Sequence, residues 1–575
     1  MKLSEWEKRV LGISVGILLT SSMRIFVSGA YASLEKTFFY GVMFPSGLGI
    51  ILFLLSSFIV GKIQRKIGAI VVGIYALASL ITDATEYTHL IAALVLPVAL
   101  AVLKEAEIRY VLIGLVGDLA LRILAVGGEP IDFIHTRVLL VISILALAYV
   151  LWKEEGQLKS PGFELYGFAV LINLGLIYPN AIMRYSGIET YYLTQFAAYS
   201  FVVALAILVS PYLTGKKFTP FLLISGALTL FVQPFGIIGM PVALASALAL
   251  LEGAKKSRFG VLGALYFVVV SVLAIGAYVG RDIGIPFMED HLEALITFSA
   301  IVYAFSSKSV SIKRPNVKEV AVPIVGLVVV SLLVLTTFYP SPITAEKKTE
   351  IIVWSYNLHQ GFAPYKGSFN GNELVKLLKT YNSDIIASQE VVGGMIGDGY
   401  QDVPLLLSAY FGYYYEYTPA VEGTYGVATF SRWPLEIIEE RNLKSIGQAR
   451  PVQKVRIKSV NLTLVNVHMG LSPEERALQA EELLEVALND PMADMILGDT
   501  NAEPEEEAIK ILLREYYDSF AERPPYTFNW GNVDIENIDY ILIRRGSTLK
   551  VKDYGWLLDV EVSDHRPIYV LISKW

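Results

Sequence analysis

The 575-residue chain contains no cysteine, which excludes disulfides, thiolate metal sites and cysteine nucleophiles together. Charge is also scarce: 18% of the residues are charged against 54% hydrophobic, and the mean hydropathy is +0.52. A soluble enzyme of this length carries more charge, so membrane spans are expected. The charge that is present is unevenly balanced. Residues 1–344 hold 25 Lys and Arg against 20 Asp and Glu, a balance of +5, whereas residues 345–575 hold 22 against 34, a balance of −12. So acidic a segment is poorly suited to non-specific binding of nucleic acid, which depends on Lys and Arg neutralising phosphates.

Long hydrophobic runs, in contrast, are plentiful from about residue 10 to about 339. Thirteen are expected, at 10–29, 39–60, 67–83, 87–103, 110–127, 134–152, 163–181, 191–213, 218–233, 236–251, 259–279, 291–306 and 320–339. Several fall short of the roughly 20 residues a straight span needs, so two are open to being re-entrant or fused. Basic loops alternate with basic-poor ones. Lys62, Arg65 and Lys66, then Lys104 and Arg109, Lys153 and Lys159, Lys216 and Lys217, Lys255, Lys256 and Arg258, and finally Lys308, Lys313, Arg314 and Lys318 follow every second run. The intervening loops hold Asp83 and Glu86, Glu129 and Asp132, or Glu289 and Asp290. By the positive-inside rule the amino terminus is expected in the cytoplasm, and an odd number of spans places everything after Tyr339 outside. Within the runs, Arg24, Asn173, Asp118 and Arg122 are polar; Asp118 and Arg122, four apart, are either a self-neutralised pair or the mark of a functional cavity.

Tyr339-Pro340-Ser341-Pro342 breaks the last run, and a polar linker at 341–349 leads into a segment of different character, 350–575. Strands are expected at Glu350–Tyr356, Asp384–Ser388, Gly426–Phe430, Val452–Lys458, Leu462–Val467, Met495–Leu497, Ile538–Ile543 and Ile568–Ile572. Helices are expected at Glu373–Thr380 and at Pro473–Leu488, the latter capped by Ser472 with Glu475 three residues on. Strands and helices interleave without a strict βαβ period, so the expected fold is a polytopic helical membrane bundle, 1–340, followed by an α/β two-sheet sandwich.

Polar residues recur at the ends of these strands. Asn357 follows Trp354-Ser355-Tyr356, Glu390 follows Ile385 to Gln389, and His468 follows Leu464 to Val467. In Ile496-Leu497-Gly498-Asp499-Thr500-Asn501 the glycine is expected to turn the chain at the surface, and Asp499 and Asn501, two apart on an extended backbone, to point the same way. Asp539 interrupts Ile538-Asp539-Tyr540-Ile541-Leu542, and Asp564-His565 lies in Ser563-Asp564-His565-Arg566-Pro567. Any one of these also suits a cap, a turn carboxylate or a satisfied core histidine. Their joint recurrence does not.

Taken in order, Tyr356-Asn357, Ser388-Gln389-Glu390, Asn466-Val467-His468, Gly498-Asp499-Thr500-Asn501, Ile538-Asp539-Tyr540 and Ser563-Asp564-His565-Arg566-Pro567 resemble the motifs of the endonuclease/exonuclease/phosphatase superfamily, metal-dependent phosphodiesterases and phosphatases. Tyr425 to Arg432 resembles that family's glycine-to-Ser-Arg strand, whereas Thr500 stands where the family has an aromatic. The resemblance implies that Glu390 ligates Mg²⁺, with Mn²⁺ as the alternative, and that Asn357 and Asp564 lie near the ion or phosphate. It implies His565 as the base or phosphate-contacting imidazole oriented by Asp539, Asp499 and Asn501 as the groups that position water, and His468 as a stabiliser of the phosphorane charge or leaving oxygen. The joining of many spans to such a domain, with Tyr356-Asn357-Leu358-His359-Gln360-Gly361-Phe362, is similar to the fungal proteins that remodel GPI-anchor lipids and their animal relatives.

Three functions compete on this reading: a phosphodiesterase acting on a lipid-linked phosphate, a tethered nuclease, and a non-catalytic lipid transporter or scaffold. The −12 balance counts against the second and the full set of catalytic residue types against the third. A further expectation concerns Phe411-Gly412-Tyr413-Tyr414-Tyr415-Glu416-Tyr417 and Tyr425, whose rings suit either lipid headgroups and sugars or the half-buried face of a strand.

Overall fold

The computed structural model describes residues 3–40, 46–81, 86–255, 260–281, 285–286, 289–311, 316–338, 348–363, 368–369, 371–381, 383–530 and 534–574. The expected linker, apart from Lys348 and Thr349, lies outside the described residues, as do the Tyr339–Pro342 break, Asp83, Lys256, Arg258, Lys313 and Arg314.

Each hydrophobic run falls on helix: Glu5–Tyr40, Ser46–Ile59, Arg65–Ile81, Glu86–Leu103, Ile108–Leu124, Ile134–Lys153, the broken pair Phe163–Leu171 and Pro179–Tyr185, Leu193–Val209, Thr219–Leu228, Gly236–Ala254, Gly260–Val279, Leu292–Ser306 and Val317–Phe338. Among the described residues six are long and apolar enough to cross a membrane, and the broken pair, bent by 67°, makes a seventh if it is one span. A helix of 14 residues such as Ser46–Ile59 is about 21 Å long, short of the roughly 30 Å of hydrocarbon it would have to cross. The first helix makes a close approach through Gly12 and Gly16, where a Cβ would come within 2.4 Å of Tyr110 Cβ and 2.6 Å of the Val111 carbonyl oxygen. This small-xxx-small spacing lets two backbones meet on the Ile108–Leu124 helix.

The charges within the hydrophobic runs are paired differently from the local expectation. Arg24 binds Asp118 through Nη1 at 2.7 Å and Glu129 through Nε at 2.7 Å. Arg122 turns instead to backbone carbonyls, those of Gly127 at 3.2 Å and Gly399 at 3.3 Å, and to Tyr400 O. Sharing a helix face did not make Asp118 and Arg122 partners, because a cation from another helix reached the carboxylate first.

The carboxyl-terminal part is a two-sheet sandwich. In chain order the strands are β1 (Glu350–Asn357), the short β2 (Phe362–Ala363) and β3 (Ser368–Phe369), β4 (Ile385–Val392), β5 (Tyr414–Val421), β6 (Tyr425–Ser431), β7 (Glu436–Leu443), β8 (Arg450–Ile457), β9 (Leu462–His468), β10 (Met495–Asp499), β11 (Tyr516–Asp518), β12 (Phe528–Trp530), β13 (Asp534–Glu536), β14 (Asp539–Arg544), β15 (Leu549–Trp556) and β16 (Ile568–Lys574). One sheet has the order β15-β16-β1-β4-β6-β5 and the other β11-β14-β10-β9-β8-β7. Alternation along the strands supplies the layer between them: Val353, Ile385 and Ala387 from the first sheet meet Val455, Leu464, Met495, Leu497 and Ile541 from the second. The Pro473–Leu488 helix, with Ser472 Oγ accepting from Glu475 N at 3.2 Å, covers the outer face of the second sheet together with Glu507–Leu512.

The outer face of the first sheet is covered by the helical part. Trp354, Tyr356, Ile386, Val391 and Val392 belong to the same continuous core as the bundle helices. Between β4 and the helix Val403–Phe411, residues 393–402 are buried throughout and enter the bundle. Asn180 Nδ2 donates to Tyr400 O at 2.7 Å, the Tyr400 ring stacks on Tyr178 with centroids 4.1 Å apart, and its hydroxyl donates to Asn173 O. Asp402 accepts from Arg184 at 3.2 Å and from the Tyr191 hydroxyl, while capping its own helix through Leu405 N at 2.9 Å. The tyrosine segment is part of this seam. Tyr415 and Tyr417 are fully buried and Tyr413 and Tyr425 are 5% exposed, so they are strand and seam residues and not rings free to receive a headgroup.

Candidate active site

Sheet direction gathers the polar strand ends. Strand β1 runs parallel to β4 and β10 parallel to β9, so Asn357, Glu390, His468 and Asp499 emerge on one side. Antiparallel β14 and β16 bring their leading ends to the same side, which places Asp539 opposite Asp499 and delivers Asp564 and His565 from the loop before β16.

Three local features aim the side chains. At Glu390 the β4–β6 register shifts between Ser388 and Val391, and the backbone is left-handed, φ +49°; the bulge turns the carboxylate outward from inside a strand that continues to Val392. Gly498 does not turn the chain at the surface as expected. It lies within buried β10 at φ +148°, where a Cβ would stand 2.0 Å from the Val467 carbonyl oxygen, so glycine is required for β9 and β10 to meet. The turn follows at Asn501, φ +50°, whose N–H donates to Asp499 Oδ1 at 2.8 Å. Asn501 therefore does not extend beside Asp499; its side-chain amide donates to Met469 O at 2.9 Å.

Asp499 is the hub. Its Oδ2 accepts from Asn357 Nδ2 at 2.9 Å and stands 3.5 Å from His565 Nε2 and 3.6 Å from His468 Nε2. Asn357 Nδ2 also reaches Glu390 Oε1 at 3.2 Å, and its Oδ1 accepts from His359 N at 2.9 Å, so this amide presents its N–H face to both carboxylates. His565 Nδ1 bonds Asp539 Oδ2 at 2.8 Å, leaving Nε2 toward Asp499. Asp564 is joined through Ser563, whose hydroxyl contacts Asp564 Oδ1 at 3.2 Å and Asn357 O at 2.9 Å.

Burial lifts Asp499 to about 7, with Asp539 adding to the rise while His565 and hydrogen bonds from Asn357 and Asn501 oppose it. Burial disfavours charge on His565, yet Asp539 and Asp499 outweigh it and hold the imidazolium well above its ordinary value. His468 goes the other way: burial, then the positive charges of Arg450 and His565, push it well below, so it is neutral. Two imidazoles in one site thus differ in charge because one faces carboxylates and the other a guanidinium.

Two groups absent from the expected set belong here. Arg450 Nη1 lies 2.9 Å from His468 Nε2 and supplies the cation of that corner. The β8–β9 hairpin register, Ile457 opposite Leu462 and Val452 opposite Val467, carries Arg450 to the level of His468, a signal available once both strands are recognised. His359, buried at φ +44°, brings Nε2 to 3.8 Å from Asp564 Oδ2, a contact that no strand periodicity foreshadows.

Hard-cation chemistry fits this donor set. Among the described residues, Glu390, His468 and Asp499 form one group of ligand atoms within 4.8 Å of one another, and Asp499, Asp539 and His565 form a second. Asp539 Oδ1 is buried with no hydrogen-bond partner, and Asp499 is held back from ionising by burial. Buried carboxylates in such a state gain from a divalent ion with oxygen preference.

Residues 355–565, somewhat over a third of the chain, match the model of the Endonuclease/Exonuclease/phosphatase family. Solved structures similar to it include an endonuclease/exonuclease/phosphatase from Bacteroides vulgatus at 17% identity, covering 40% of this chain and 100% of that one, TM-score 0.33. The human Nocturnin catalytic domain with bound sulfate anion is 20% identical over 40% of this chain and 97% of that one, TM-score 0.32. D. rerio TDP2 complexed with single strand DNA product is 16% identical over 40% and 100%, TM-score 0.31. Likenesses this distant add nothing to the family match. No curated protein matches the sequence.

Proposed function

We propose that the chain is a membrane-embedded, Mg²⁺-dependent phosphodiesterase that cleaves or exchanges the headgroup of a lipid-linked phosphate on the extracytoplasmic side. The observation that carries this reading is the seam: three residues after Glu390 the chain enters the helical bundle and stays buried in it to Asp402. A domain serving soluble phosphates needs only an anchor, whereas this active site is built on a strand that continues into the apolar helices. The extracytoplasmic side follows from the basic loops, and a role in lipid remodelling follows from the resemblance of the whole architecture.

In this reading Glu390 would hold the ion, with Asn357 bridging its carboxylate to that of Asp499 and Asp564 nearby. When bound, the ion supplies charge stabilisation to the phosphoryl oxygens. The protein's own groups do the rest. Asp499, lifted to about 7, is suited to take a proton from an attacking water near neutral pH. His565, kept charged by Asp539, donates from Nε2 to a phosphoryl oxygen, and the Arg450–His468 pair adds a buried positive charge where negative charge develops. No covalent nucleophile is required.

The test uses full-length protein in lipid nanodiscs, assayed with Mg²⁺ and with EDTA against a phospholipid, a small soluble phosphodiester and single-stranded DNA. Mg²⁺-dependent cleavage favouring the phospholipid is expected. Preference for DNA would make it a tethered nuclease, and no cleavage of any of the three would favour the scaffold reading. Protease added outside intact cells should reach the domain, and protection there would reverse the topology.

A further inference from the structure

Where the β5–β6 turn meets the bundle there is a cavity of about 450 Å³. Its walls include Glu422 from the turn, Asp290 and Glu293 from the start of the Leu292–Ser306 helix, and Tyr185 and Phe231 from the bundle. It lies away from the catalytic site: Gly393 N donates to Thr424 O, and three residues from Glu390 to Gly393 followed by two from Thr424 back to Glu422 give a separation of about 15 Å. We propose that this cavity binds the ammonium group of a membrane lipid's headgroup.

Four observations support that ligand class. Among the described residues, three carboxyl groups line the cavity, and the one cation on its wall, Arg184, is already engaged by Asp402 at 3.2 Å. Tyr185, 9% exposed, lines the cavity within electrostatic reach of Glu422. Burial, with Glu293 and Asp290 adding like charge, pushes Glu422 well above its ordinary value, so a cation entering beside it would relieve that carboxyl. Glu422 is held at φ +52° with one oxygen accepting from Leu292 N at 2.8 Å, a left-handed position unfavourable to a residue with a Cβ.

The spacing selects among cations. Among the described residues, acidic and imidazole ligand atoms converge within 4.8 Å only in the two groups at the active site, so these three carboxyls are too dispersed to share a bare metal ion. Around a cavity of this size they suit an organic ammonium, whose charge is spread over a larger group and whose methylene or methyl carbons gain from aromatic faces such as Tyr185 and Phe231. A lipid source follows from the rim. Phe231, Val232 and Phe235, 52%, 56% and 57% exposed, form an apolar lip on the bundle beside the opening, suited to acyl chains while the headgroup enters.

The test is independent of catalysis. Full-length protein is exchanged into nanodiscs of equimolar phosphatidylethanolamine and phosphatidylglycerol, and the lipids it retains on transfer to detergent are counted by native mass spectrometry. Wild type is expected to enrich the ethanolamine lipid about fivefold or more. Glu422→Gln keeps an oxygen for Leu292 N and loses the charge, and should abolish the enrichment; Glu293→Gln, which removes no hydrogen bond to the helix start, should reduce it. Both variants should keep wild-type hydrolysis of a soluble phosphodiester, which separates failure here from failure of the phosphodiesterase reading. No enrichment in wild type, or enrichment surviving in the double variant, overturns the proposal. So does displacement of the lipid by an equal concentration of free ethanolamine, which would make the cavity a soluble-amine site.

Discussion

Two regions of this protein bury charge, and they do so to opposite ends. In the seam, Arg24, Arg122 and Arg184 face Asp118, Glu129 and Asp402 at 2.7 to 3.9 Å, three cations against three anions, with remaining donors spent on carbonyls. At the strand ends, Glu390, Asp499, Asp539 and Asp564 are touched by imidazoles and an amide, and carboxylates outnumber the charged partners that reach them. Charge that balances internally holds two parts of a chain together. Charge left unbalanced needs something from outside, and this asymmetry separates a structural cluster from a chemical one.

The widest test of that contrast is Glu390→Ala. It should lower turnover about a thousandfold or more, over ~4 kcal/mol of barrier, with an unchanged thermal transition. EDTA should do the same to the wild type, reversibly on adding Mg²⁺. If the variant keeps near-native turnover, the strand-end carboxylates are not the ones that matter.

In the seam the effect should appear in stability. Arg184→Met leaves Asp402 buried without its cation and should cost about 3 kcal/mol or more, read as a lower thermal transition in detergent. Pairing it with Asp402→Asn should recover part of the loss. Equal loss in single and double variants would mean that the pair is not coupled.

A smaller effect distinguishes the two imidazoles. Asp539→Asn should lower the rate about a hundredfold and move the whole pH profile downward. Asp539 raises both Asp499, whose deprotonation sets the acid limb, and His565, whose protonation sets the alkaline limb. A profile unmoved on either side would remove Asp539 from the coupled set.

The smallest effect belongs to the rim of the seam. Burial, with Glu440 adding to it, raises both Glu189 and Glu416 from the ordinary 4.5 to about 7. Each binds its proton more tightly folded than unfolded, so stability should fall as pH rises from about 4.5 through 7. Thermal scans at pH 5 and pH 8 should show the drop, and Glu416→Gln should lessen it.

The sandwich was legible because its signals are local. Alternation located β1, β4, β6, β8, β9, β10, β14 and β16, and Ser472 with Glu475 marked the start of the long helix. Strands β5, β7 and β15 escaped: in β7 the run Glu436-Ile437-Ile438-Glu439-Glu440-Arg441 breaks apolar alternation at the sheet edge, and β5 buries tyrosines on a face that only the bundle covers. Similarly, the residue types of the site were visible, but Arg450 required strand register and His359 required a left-handed turn.

By itself the sequence determined what depends on composition and short-range period: an apolar helical part, an acidic α/β part, and an ordered set of carboxylates, amides and imidazoles at strand ends. The tertiary structure alone decided which charges meet. Asp118 was four residues from Arg122 and took Arg24, while Arg122 reached 277 residues along the chain to Gly399. Helical neighbourhood only offers a partner worth a few tenths of a kcal/mol; in a buried site of low dielectric the choice goes to whatever arrangement satisfies every donor and acceptor at once, and that is a property of the packed whole.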